Sequence, residues 1–210
     1  AGGAASARPP TAAATSSSSA VPHAAIPRFL SIRATILYPL SETSTLRTNA
    51  SCHSRCHLRH AAARPHRVQI APAARALETR VHGEVYKDSA VEFFLSFDKK
   101  NYYNFECNCI GTPHLAYGPS RENRTFIPLP LMGQLTTLPS LGRQPFAEKS
   151  GGFTWTLTAR IPVTCFTFHT LASLSGVQAT ANFYKVGSGL TVPHYVTWSP
   201  VRTPKPSYHC

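Results

Sequence analysis

Residues 85–111, VYKDSAVEFFLSFDKKNYYNFECNCIG, decide the fold, because a two-residue period runs through both halves of the stretch. Val91, Phe93, Leu95 and Phe97 alternate with Glu92, Phe94 and Ser96. Tyr103, Phe105, Cys107 and Cys109 alternate with Tyr102, Asn104, Glu106 and Asn108. The polar run Asp98-Lys99-Lys100-Asn101 between them has turn composition, so the stretch predicts an antiparallel hairpin with one buried and one open face. The open face gathers Glu92, Asn104, Glu106 and Asn108 beside Tyr86 and Tyr102. Acids and amides for hydroxyls, with flat rings for C–H surfaces, suit a sugar. The same residues also suit the solvated face of an ordinary antiparallel sheet.

Further along the chain the period of two returns. Phe153, Trp155, Leu157, Ala159 and Ile161 alternate with Thr154, Thr156, Thr158 and Arg160, which predicts a strand with Trp155 in the core, ended by Pro162. Residues 178–186 and 192–198 read as two more strands. The segment 111–150 is rich in proline and glycine and reads as a long irregular loop, a lid or a binding loop. With strands near 90–98, 102–109, 153–161, 178–186 and 192–198 and no regular helix between them, the fold class is all-β: a β-sandwich of immunoglobulin or jelly-roll type.

The first part of the chain differs in kind. Residues 1–80 hold ten arginines, no lysine and two acids, and so carry +8 of the formal charge of +12. The opening AGGAASARPPTAAATSSSSAVPHAA has too few large apolar side chains to offset the entropy of ordering it. Residues 26–40 hold an apolar cluster broken by Arg28, Arg33 and prolines, neither a membrane span nor a signal-peptide core. Residues 1–76 therefore read as a low-complexity Arg/Ala/Ser/Pro block, either disordered, transit-type or the product of a misplaced reading frame, and the domain as residues 77–210. Phosphate neutralisation by the arginines offers a nucleic-acid reading, but no fold presents them, so nucleic acid is not expected as a partner.

The cysteines at 52, 56, 107, 109, 165 and 210 make no dense disulfide framework. Cys107 and Cys109 share one strand face and are expected to be small core residues. CHSRCHLRH, with Cys52, His53, Cys56, His57 and His60, offers zinc-type ligands but lacks a second paired motif, so no residue is assigned to a metal.

Taken together, VYKDSAVEFFLSF, YYNFECNCIGT, PSLGRQPFAE, FTWTLTARIP, LSGVQATANFYKVG and VPHYVTWSPV resemble, in order and spacing, the family 9 carbohydrate-binding modules of the type common in Bacteroidetes, over about residues 77–210. The resemblance implies a β-sandwich that binds rather than cleaves an oligo- or polysaccharide, at a chain end, within polysaccharide utilisation. It also implies structural calcium and a periplasmic or extracellular location. By the same resemblance Glu92 is the hydroxyl-binding glutamate, Tyr86 and Trp198 are the two clamping aromatics, and Asn182 and Tyr184 lie on the amide-bearing strand. Family members carry further core strands before the Asp-Ser-x-Val-Glu segment and a last strand after Pro-x-(Phe/Tyr)-His, so the chain reads as incomplete at both ends. Two other functions compete. One is a glycoside hydrolase using Glu92 and Glu106. The other is a DOMON-like sandwich, whose haem form would need Met132, the sole methionine, as a ligand.

Overall fold

In the computed structural model the described residues are 29–37, 43–51, 57–58, 68–69, 73–151, 154–199, 201 and 209, with backbone alone at 37 and over 43–51, 57–58 and 68–69. In chain order the strands are β1 (Phe29–Leu37), β2 (Thr43–Ser51), β3 (His57–Leu58), β4 (Val68–Gln69), β5 (Ala73–Ala76), β6 (Ala90–Ser96) and β7 (Tyr102–Asn108). They continue as β8 (Pro113–Gly118), β9 (Thr125–Phe126), β10 (Thr136–Pro139), β11 (Phe146–Ser150), β12 (Thr154–Pro162), β13 (Gln178–Gly187) and β14 (His194–Thr197). One sheet runs β10-β12-β1-β2-β4 and the other β14-β13-β6-β7-β8-β9, with β5 and β11 forming a separate pair. Pairing is antiparallel except for the short parallel contact of β3 with β13.

The sandwich core lies where the inward rows of the two sheets meet. From one sheet come Leu30, Ile32, Ala34 and Ile36 of β1 with Trp155, Leu157, Ala159 and Ile161 of β12; from the other come Val91, Phe93, Leu95, Tyr103, Phe105, Cys107, Leu115 and Phe183. Every one of these positions follows from the period of two, and Phe93 and Phe183 stack at 4.7 Å between ring centroids across β6 and β13. Cys107 and Cys109 are buried free thiols, with burial raising both and Cys109 up to about 12.

Three expectations are corrected. The core reaches N-terminal to residue 77. β1 lies between β12 and β2, Ile36 is paired with Trp155, and its alternate residues are buried, because Arg33 and its polar neighbours project from the opposite face. Residues 1–25 and the side chains of the Cys52–His60 motif lie outside the described residues. The 111–150 segment is not one irregular loop. Its residues extend the sheet as β8 and β9, form the short helix α1 (Leu129–Met132) and return as β10 and β11. The hairpin has no open face either, since every residue of β7 is buried.

Candidate functional site

The face of the β6–β7 hairpin turned away from the core becomes a row of functional groups when the register is extended to its neighbours. His114 of β8 faces Glu106 of β7, Glu106 faces Glu92 of β6, and Glu92 faces Tyr184 of β13. One step along, Ala116, Asn104, Phe94 and Asn182 form the next row. Residues in register on adjacent strands point the same way, so four strands are needed to assemble what no single motif contains.

Glu92 and Glu106 are 6% and 2% exposed. Burial pushes both acids up, Glu106 to about 6 and Glu92 well above the usual carboxylate range, where the neighbouring Glu106 charge adds to the effect. Arg124 opposes this for both carboxyls: its Nη1 lies 3.5 Å from Glu106 Oε1 and donates to Asn104 Oδ1. Asn104, fully buried, passes the constraint on through Nδ2, which donates to Glu92 Oε2 at 3.3 Å. Gly118 permits the turn that delivers Arg124, because a Cβ there would sit 2.7 Å from the Arg124 Cα. Glu106 Oε2 is buried without a hydrogen-bond partner among the described residues, and burial holds His114 down at about 4.

Beside the carboxyl pair, Phe94, Tyr102 and Tyr184 form an aromatic cluster, with Phe94 4.7 Å from Tyr184 and 5.5 Å from Tyr102. These rings, with Asn101, Asn182, Lys99 and Lys100, line a cleft of about 450 Å³. Val201 packs on the cluster, and His209 lies over it, 5.2 Å from Phe94 and 3.0 Å from the Tyr102 hydroxyl through Nδ1.

Of the residues assigned from sequence, the structure brings Glu92, Tyr184 and Asn182 together. Asn182 Nδ2 donates to the Tyr184 hydroxyl at 3.3 Å, while its Oδ1 accepts from Ser199 N at 3.0 Å. Tyr86 stands at the margin, in the 3₁₀ turn Val85–Lys87. Its hydroxyl donates to Glu84, and the Arg121 guanidinium sits 5.7 Å from its ring. Trp198 is not on this face. It packs against the inter-sheet core, 6.4 Å from Phe183, because its backbone N–H is held by the Phe183 carbonyl. Tyr102, placed on this face from sequence, does lie there, and Phe94 shares the parity of Glu92 and could have been assigned by it. Arg124 and His114 lie in the segment read as loop, where no period pointed to them.

Neither Asp88 nor the Glu92–Glu106–His209 group has the donor set of the calcium site that the sequence resemblance implies. Calcium takes an all-oxygen shell. The buried carboxylate of Asp88 is taken up by donors instead, accepting from Leu77 N, Glu78 N, Asn108 Nδ2 and Arg75 Nε. The one group of three candidate ligands among the described residues, Glu92, Glu106 and His209, includes an imidazole.

A family model described as carbohydrate-binding family 9 matches residues 64–210. No curated protein matches the chain. A crystal structure of a "putative carbohydrate-binding protein" from Bacteroides uniformis is similar at 37% identity and a TM-score of 0.62. That match covers 66% of this chain and 64% of the other, so the chain spans less than two thirds of that protein's length.

Proposed function

Because the chain belongs to carbohydrate-binding family 9, we propose that it binds a saccharide in the cleft beside Phe94, Tyr102 and Tyr184, without cleaving it. The observation that carries this reading is the aromatic cluster set against Asn182, Asn101 and the carboxyl pair on one sheet face. Rings supply contact for the C–H surfaces of a sugar, and fixed amides and carboxyls select among hydroxyl positions. Lys99 and Lys100 at the cleft supply donors only. Family membership also supports a periplasmic or extracellular place of action and recognition of a chain end. Among the described residues no helix is long and apolar enough to cross a membrane.

Hydrolysis is the second reading, favoured by two adjacent carboxyls with raised pKa values. It is the weaker one because the pair sits side by side in one buried row, whereas glycosidase carboxyls flank the bond they cleave. Electrophoresis of the full chain through gels containing a panel of polysaccharides, with a reducing-sugar assay on the same mixtures, separates the two. Retardation without released reducing ends is expected; release abolished by Glu106→Gln would establish the enzyme, and no retardation in any gel would remove the binding reading.

A further inference from the structure

The carboxyl pair given above to the proposed saccharide site also forms a constellation with His209. One ligand atom from each of Glu92, Glu106 and His209 lies within 4.8 Å of the other two. We propose that these three residues form a binding site for a divalent first-row transition ion, with zinc as the ion that fits best. The donor set is two carboxylates and an imidazole, which suits zinc with three protein ligands and a fourth position open, and does not suit calcium or magnesium.

The state of one ligand within the group points to a cation. Glu106 Oε2 is buried with no hydrogen-bond partner among the described residues, and the residue is 2% exposed. A carboxylate oxygen in that state carries a desolvation cost that a coordinated ion removes. Its other oxygen is already engaged: Arg124 Nη1 lies 3.5 Å from Oε1. The Arg124 guanidinium, with Arg121, partly offsets the charge of the pair.

The surrounding hydrogen bonds are those that orient metal ligands. Asn104 Nδ2 holds Glu92 Oε2, and Asn104 is itself held by Arg124. The Tyr102 hydroxyl engages His209 Nδ1 at 3.0 Å, which leaves Nε2 as the coordinating nitrogen. Partners of this kind fix ring orientation and carboxylate geometry before the ion arrives. Metal uptake is read without any saccharide present, so its failure is distinguishable from failure of the saccharide reading.

The test is a titration of the full chain, stripped with a chelator and dialysed, with cobalt(II) chloride and then zinc chloride. Visible absorption of cobalt reports coordination geometry, and a thiolate charge-transfer band in the near ultraviolet reports cysteine ligation. The expected result is one equivalent of bound cobalt without the thiolate band, displaced by zinc. His209→Ala and Glu106→Gln should each weaken binding by more than the roughly 10–100-fold that changes to outer-shell partners produce. Failure of the wild type to take up cobalt overturns the proposal. So does unchanged affinity in His209→Ala, or a thiolate band, which would put the ion on cysteine instead. His209 lies outside the strands, so His209→Ala decides the matter even if Glu106→Gln does not fold.

Discussion

Phe94 and Tyr184 meet edge to face, 4.7 Å between centroids at an interplanar angle of 70°, as diagonal neighbours on β6 and β13. Both rings line the cleft, so the contact that packs this face also shapes the surface offered to a sugar. Phe94→Leu keeps an apolar side chain in the cluster and removes the ring. Calorimetric titration with the best oligosaccharide from the gel panel should show affinity lower by about tenfold, about 1.4 kcal/mol, with little change in the melting temperature. Equal affinity in wild type and variant would remove the aromatic cluster from the binding site.

The N-terminal strand is a stability element. Ile36 is 1% exposed and in register with Trp155, so its side chain is enclosed by both sheets. Ile36→Ala should cost about 2–5 kcal/mol, read as a lower urea midpoint at unchanged slope. A midpoint equal to that of the wild type would mean that β1 is not part of the cooperative core.

The contrast between β1 and β6 shows what the sequence could carry. In β6 and β7 the apolar rows are long and end at a recognisable polar turn, so strand, register and core residues were all legible. In β1, FLSIRATIL has the same alternation of Leu30, Ile32, Ala34 and Ile36, yet the surrounding arginine-rich composition hid it. The site divides in the same manner. Glu92, Tyr184 and Asn182 lie on patterned strands, whereas Arg124 reaches the face from the turn after β8, and His209 from a part of the chain distant in sequence. Trp198 was misplaced because resemblance carries a residue type to a position without fixing which side of the sheet its ring takes.

Trp155 is fully buried, and its indole N–H has no partner among the described groups. Truncation and isosteric loss of the polar atom should therefore separate. Trp155→Ala is expected to cost about 3–5 kcal/mol, and Trp155→Phe clearly less, because it removes an unsatisfied donor while keeping most of the ring. Chemical denaturation of the two variants checks this; equal losses would show that the N–H does have a partner.

The Arg80 side chain beside Glu78, with backbone N–H donors from Arg80 and Glu84, holds the Glu78 carboxyl down at about 2. A carboxyl lowered on folding contributes stability that is present above its unfolded value near 4.5 and is lost as pH falls through about 2. Glu78→Gln should thus be less stable than wild type at neutral pH, and the gap should close between about pH 4.5 and 2. Arg80 is largely exposed, so solvent screening keeps the gap small. A gap constant across that range in denaturation midpoints would show that the Glu78 charge does not contribute.

Arg124 is the cation that two buried carboxyls and one buried amide share. Its side chain is 14% exposed against 2% for Glu106, so removing it leaves Arg121 as the remaining counter-charge acting on the acids among the described residues. Arg124→Met is expected to cost about 3–5 kcal/mol at neutral pH, the range for breaking one side of a buried pair. The double variant Arg124→Met/Glu106→Gln should recover part of that loss, because it no longer buries the uncompensated charge of Glu106. The coupling energy from a double-mutant cycle on urea unfolding measures the interaction. Additive losses would mean that Arg124 acts through packing alone, and that Asn104, rather than the guanidinium, keeps Glu92 and Glu106 in place.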